Sequence, residues 1–314
     1  MWDRAAYTVA HRPPTSLAAC AEGVEMCRLF GMHAGTVRVD ATFWLEDAPD
    51  SLSVQSRMNP DGFGIGTFAP DGRPIVEKEP RPAWEASGFD KAAHEFHGTV
   101  FIAHVRKAST GALEERNTHP FLQDGRLFAH NGVVQGLDEL DARLSELGVS
   151  DLVKGDTDSE RMFALITAET RRHDGDIEAG IGDAIGWIGQ NLPVFSVNFV
   201  LTTPTDLWAL RYPASHDLFL LERPAPTDEA GPRPLRSNGT HMSAHSDTLS
   251  DQPSILVATE RMDGESGWRD IDAGALIHVG TDLSITTTKP FPSDPVHLLT
   301  LEDLNATEAQ SQRP

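Results

Sequence analysis

The chain is poor in cysteine, in tyrosine and in basic side chains. Cysteine occurs twice in 314 residues, at Cys20 and Cys27. Two thiols cannot build a disulfide framework, and their spacing matches no zinc pattern, so a reducing cytoplasm is the expected compartment. Lysine and arginine total 26 against 47 acidic residues, a formal charge of -21. Such a chain repels phosphate backbones, which disfavours general nucleic-acid binding; the plain meaning of the acidity is solubility. No run approaches the ~18 consecutive apolar residues of a membrane span. His11, Arg12, Pro13 and Pro14 interrupt any apolar stretch near the start, which argues against a secretory signal. Phe63-Gly64-Ile65-Gly66 is no dinucleotide fingerprint, since the third glycine and a following helix are missing. No metal, nucleotide or flavin site is evident, and no cofactor is expected.

What is present is ordinary for a globular protein, with 39% hydrophobic and 23% charged residues. The length allows about one to two domains. Residues 1–25 show no clean period and read as a disordered leader. From Met26 the character changes. Cys27 to Met32 and Thr99 to Val105 read as buried strands, and Phe63 to Phe68 as one arm of a hairpin turning at Ala69-Pro-Asp-Gly72. Leu127 to His130 reads as a short strand ending in a turn at Asn131-Gly132. Three helices follow. Leu137, Leu140, Leu144 and Leu147 mark the first, Met162, Phe163 and Ile166 the second within Asp158 to Arg172, and Ile177, Ile181, Ile185 and Ile188 the third. Strand character returns over Val194–Thr203, Asp206–Tyr212, Leu218–Glu222, Ile255–Thr259 and Ala275–Val279. Residues 223–252 read as a mobile surface loop whose His241 and His245 are solvated, not metal-bound. The tail, 286–314, is polar and expected to fray beyond about 300. Strands, then helices, then strands argue for an α+β fold with mainly antiparallel sheets.

Four polar clusters interrupt these apolar elements. They are Cys27; His104-Val-Arg-Lys-Ala-Ser-Thr-Gly111; Asn117-Thr-His-Pro-Phe121 running on to His130-Asn131-Gly132; and Gly155-Asp-Thr-Asp-Ser-Glu160. Each alone has a bland explanation. Cys27 could be a small buried hydrophobe, Asn131-Gly132 a hairpin turn, Asp156 or Asp158 a helix cap, and Arg106 half of an ion pair. The scattered tryptophans read as packing.

Taken in order, the clusters resemble the glutaminase domain of class II glutamine amidotransferases, which are N-terminal-nucleophile hydrolases. The resemblance spans about residues 26–280, within a domain bounded at 26–285. Met-Cys-Arg-Leu-Phe-Gly, Asn-Pro-Asp-Gly-Phe-Gly-Ile-Gly and Gly-Asp-Thr-Asp-Ser-Glu look especially like stand-alone members without a synthase domain. The resemblance implies a four-layer αββα sandwich of two mainly antiparallel sheets. It also implies roles. Cys27, once first in the chain, would be the thiolate nucleophile, with its own α-amine as base. Asn131 and the Gly132 N–H would form the oxyanion hole. Arg106 would clamp a substrate α-carboxylate, Asp158 would pair with the α-ammonium, and Ser109 sits where the family places a hydroxyl near the substrate. His33, His104, His119 and His130 would be structural. Two departures stand out. Lys107 follows the clamp arginine where many synthase-linked members have tryptophan. Residues 1–26 would have to be absent for the amine to be free, either because translation starts at Met26 or because a propeptide is cut.

The implied activity is hydrolysis of the γ-carboxamide of glutamine or of a γ-glutamyl compound through a Cys27 thioester. Two alternatives are a glutaminase subunit feeding ammonia to a separate synthase, and a non-catalytic glutamine-binding protein if residues 1–26 are retained. The partner expected is a small γ-glutamyl molecule, with neither nucleic acid nor membrane; a synthase partner or a homo-oligomer stays open.

Overall fold

The computed structural model describes residues 27–40, 62–80, 97–106, 112–225, 252–261 and 266–312. The leader, Ser109, Lys107, and residues 226–251 of the expected loop lie outside them. In chain order the strands are β1 (Arg28–His33), β2 (Val39–Asp40), β3 (Phe63–Phe68), β4 (Pro74–Glu79), β5 (His97–Gly98), β6 (Val100–Val105), β7 (Phe121–Gln123) and β8 (Arg126–Val134). Helices α1 (Leu137–Glu146), α2 (Asp158–Arg172) and α3 (Ile177–Asn191) follow. Then come β9 (Pro193–Thr202), β10 (Leu207–Arg211), β11 (Phe219–Arg223), β12 (Ser254–Ala258), β13 (Trp268–Asp270), β14 (Ala275–Val279), β15 (Ile285–Thr288), β16 (His297–Leu298) and α4 (Ala306–Gln312).

Fourteen of these strands form two seven-stranded sheets, and β2 pairs with β5 in a small two-stranded one. The first runs β13-β11-β12-β1-β6-β3-β4; the second runs β15-β14-β10-β9-β8-β7, with β16 beside β9. Apart from the β9–β16 pair, their ladders are antiparallel. The sheets pack face to face through Leu29, Ile102, Leu127, Ala129, Val200, Ala209 and Ile277. Helices α1 to α3 bury their leucine and isoleucine stripes on the other face of the second sheet, where Phe128 stacks on Phe163 with centroids 4.9 Å apart. This is an α+β sandwich. No helix of the described residues is long and apolar enough to cross a membrane.

Two sequence expectations change. Asn131-Gly132 is not a turn, because β8 runs straight through it and pairs Asn131 with Asn198 and Gly132 with Val197. Cross-strand pairing overrides the dipeptide's turn preference. The C-terminal tail is not frayed up to Gln312: Leu304 and Ala309 pack on Val133 and Phe195, and Ser311 and Gln312 are buried.

Close approach at the seam between the sheets depends on Gly64. A Cβ there would lie 2.1 Å from the carbonyl oxygen of His119, so only a bare backbone admits the 112–121 segment. His119 in turn packs its ring 4.1 Å from that of His104. Burial, and then the nearby charges of His130 and Arg106, lower the His104 pKa to about 3; burial and neighbouring cationic groups push His119 well below the usual value. Both imidazoles are therefore neutral in the folded protein and protonate more readily when it unfolds.

Because the folded pKa values are depressed, their contribution to stability is complete above about pH 6.5 and is lost as pH falls towards 3. Each such histidine costs about 1.4 kcal/mol per pH unit over that window. Urea-unfolding midpoints measured from pH 7.5 down to 5 should fall steadily, and His104→Leu should flatten the slope by about one histidine's share.

Candidate active site

The site is assembled where the start of β1 meets β8 across the sandwich. β1 lies between β12 and β6 in the middle of the first sheet. Arg28 pairs with Val105, so antiparallel register brings Cys27 level with Arg106. Both side chains are buried, and the Arg106 N–H donates to the Gly62 carbonyl at 2.7 Å. Arg28 turns to Glu260 at 3.2 Å, a buried arginine meeting a partly exposed carboxylate.

From the second sheet, Asn131 Nδ2 donates to the Cys27 carbonyl at 3.3 Å. Its Oδ1 is buried with no hydrogen-bond partner among the described residues. Gly132 comes next. A Cβ on it would sit 1.9 Å from the Ser196 carbonyl oxygen, and its φ is +155°, so no side chain fits between β8 and β9 there. A register shift between Val133 and Val134 then releases the strand. The Val134 N–H donates to Asp158 Oδ2 at 2.9 Å, and Asp158 Oδ1 accepts from the Ser159 N–H at 2.8 Å.

The helix start that carries Asp158 is capped by Thr157, not by Asp156 or Asp158. The Thr157 hydroxyl accepts from the Glu160 N–H at 3.2 Å, and Glu160 Oε2 accepts from the N–H groups of Lys154 and Gly155. This arrangement resembles a capping box and leaves Asp158 Oδ2 free to accept from β8. Asn117 ties in the preceding loop: its Oδ1 accepts from the Asp156 N–H at 2.7 Å and its Nδ2 donates to the Ala112 carbonyl at 3.1 Å.

His130 locks the outer side of β8. Its Nε2 lies 3.1 Å from the Ser196 carbonyl and its Nδ1 2.9 Å from Ser159 Oγ. A carbonyl can only accept, so Nε2 carries the proton and Nδ1 accepts from the serine. Burial lowers the His130 pKa, against the opposing pull of Asp158. The imidazole is a neutral bracket, not a base poised for proton transfer.

The structure thus brings together Cys27, Arg106, Asn131 and Gly132 at one seam, with Asp158 held against Val134, two residues past Gly132. Ser109 lies outside the described residues. Ser159, Ser196 and the Arg28–Glu260 pair were not singled out from sequence. Ser159 and Arg28 each stood inside a quoted motif, but nothing in the spacing marks Ser196 or Glu260. Among the described residues no group of three or more His, Cys, Asp or Glu could hold a metal ion.

The arrangement has relatives. A family model described as glutamine amidotransferases class-II matches residues 26–297. A gamma-glutamyl-hercynylcysteine sulfoxide hydrolase of Mycobacterium tuberculosis is 27% identical over 84% of this chain and 96% of its own. A probable glutamine amidotransferase of Saccharomyces cerevisiae is 30% identical over 40% of this chain and 39% of its own. The chain likewise spans 40% of an uncharacterized Methanocaldococcus jannaschii relative, 34% identical over 48% of this chain. Among solved structures, a glutamine aminotransferase class-II domain protein from Silicibacter pomeroyi superposes with a TM-score of 0.56 at 20% identity, over 85% of this chain and all of its own. The glutamine phosphoribosylpyrophosphate amidotransferase of B. subtilis reaches 0.59 at 16% identity, over 85% of this chain and 50% of its own. These structural likenesses are of fold. The family match covers most of the chain and includes every residue of the seam, and on that ground the chain belongs to the class II glutamine amidotransferases.

Proposed function

We propose that the protein is an amidohydrolase that cleaves the γ-carboxamide of glutamine or of a γ-glutamyl compound through a thioester on Cys27. The observation that carries this is the contact between the Asn131 amide and Cys27, with Arg106 level with Cys27 on the next strand. A buried thiol residue, a side-chain amide donor and a buried guanidinium together suit an acyl transfer from a small zwitterion.

The steps follow from these groups. The free α-amine of Cys27 takes the thiol proton, since an α-amine near pKa 8 suits a base at neutral pH. The thiolate adds to the carboxamide carbon, and the oxyanion is held by Asn131 Nδ2 and the Gly132 N–H. The α-ammonium returns its proton to the leaving nitrogen, which departs as ammonia or an amine. Water then adds to the thioester, and glutamate leaves as the thiol is restored. Arg106 would grip the substrate α-carboxylate in a bidentate clamp. Asp158, held in place by two backbone N–H groups, keeps acceptor capacity for the α-ammonium. Ser109 completes the proposed binding set.

Water is the favoured acceptor over a synthase-bound one. The mycobacterial relative that aligns over nearly its whole length is named for hydrolysis of a γ-glutamyl amide. The reading requires Cys27 to be the first residue, by initiation at Met26 or by cleavage.

Intact mass of protein expressed from its native gene should correspond to a chain beginning at Cys27. That protein should turn over at least one member of a panel of glutamine and γ-glutamyl amides; a free Cys27 with no turnover of any would overturn the reading. Asn131→Ala should lower kcat by about 100- to 1,000-fold, as loss of an oxyanion donor does. Arg106→Lys keeps the charge but not the planar fork, and should act mainly by raising KM in steady-state assays, by about tenfold or more for the loss of one charge-assisted hydrogen bond.

A further inference from the structure

We infer that helix α4 is the second wall of the catalytic cleft, latched to the strand carrying Asn131 and Gly132 through Gln135 and Glu308. Along the inner face of β8, alternate residues meet different partners. Leu127 and Ala129 lie under the first sheet. Asn131 touches Cys27 just before the central strand of that sheet begins. Val133, the next on the same face, lies instead beneath Leu304 and Ala309. Two residues of strand span about 6.6 Å, so Asn131 sits in the gap between sheet and helix. The helix begins beyond residue 297, where the family match ends.

The buried face of α4 is not that of a helix docked for packing alone. Such a helix buries an apolar stripe. Here Glu308, Ser311 and Gln312 are all at least nine-tenths buried, beside the single small apolar contact of Ala309. Gln312 lies against His216, whose pKa falls to about 4: burial lowers it, the side-chain hydrogen bond with Gln312 opposes this, and nearby His130, Arg28 and Arg211 lower it further.

The latch is a single part-buried contact. Gln135 Nε2 donates to Glu308 Oε2 at 2.9 Å, and the same oxygen accepts from the Asn305 N–H at 3.1 Å. Gln135 is three residues past Gly132. Glu308 is thus a positioning residue: it touches no reacting atom and holds the end of the strand whose donors do.

The kinetic arm of the test rests on the amidohydrolase reading; the exchange arm does not. Glu308→Ala removes the acceptor, and Glu308→Gln keeps one. In Glu308→Ala, amide hydrogen exchange at 131–135 should quicken about tenfold, with β10 and β14 unchanged, as expected for local opening. Hydrolysis of the best γ-glutamyl amide should lose about ten- to a hundredfold in kcat through misplaced donors, with KM moved less than about threefold. Glu308→Gln should recover most of both. Unchanged exchange at 131–135, a rise spread equally over both sheets, or a loss appearing only in KM would overturn the inference. If the wild-type protein, with Cys27 free, hydrolyses nothing, the functional reading fails and the exchange result still decides the role of Glu308.

Discussion

The site depends on one contact across the sandwich, the hydrogen bond from the Asn131 side chain to the Cys27 carbonyl. It joins the residue just before the central strand of one sheet to the inner face of the other. For the two to meet, both sheets must keep register to the residue, since a one-residue slip would turn Asn131 away from the first sheet and into the helices. The paired ladders on either side of β1 and β8 hold that register. The apolar seam of Leu29, Ile102, Leu127 and Ala129 holds the sheets at their separation.

Several polar groups around this contact are held locally, mostly by backbone. His130 is fixed by a carbonyl and a hydroxyl, Asp158 by two N–H groups, Asn117 by a carbonyl and an N–H. Groups bound this way are oriented before a substrate arrives, which is what an electrostatic site in a dry seam requires. The neutral histidines fill space at the seam without adding charge beside Arg106. Protonating them would place two like charges near the guanidinium that is proposed to read a carboxylate.

Much of this was legible in residue order. The isoleucine stripe of α3 and the leucine stripe of α1 have the helical period, and the helices lie where the stripes put them. The strand ends on either side of Cys27 and Arg106 were marked by apolar runs breaking into polar ones. Three features were not legible, for physical reasons. Asn131-Gly132 has strong turn chemistry, but its backbone state is chosen by pairing with Asn198 and Val197, partners nearly seventy positions away along the chain. Thr157 rather than an aspartate caps α2, because Asp158 has a better acceptor role towards Val134. Helix α4 carries no apolar period at all; what it buries is mostly polar, and composition alone reads such a stretch as solvated.

The register shift at Val133/Val134 has an evolutionary consequence. On one side of it, Asn131 addresses Cys27 within the sandwich; on the other, the Val134 N–H addresses Asp158 on the helical layer. A single short stretch of chain therefore serves two layers, and the count of residues between the two addresses is itself functional. Point changes at Val133 that keep its bulk are tolerable, whereas one inserted or deleted residue would invert every side chain beyond it. Length variation among descendants of this chain should accumulate elsewhere, in the connections, and leave the four positions from Asn131 to Val134 at constant spacing.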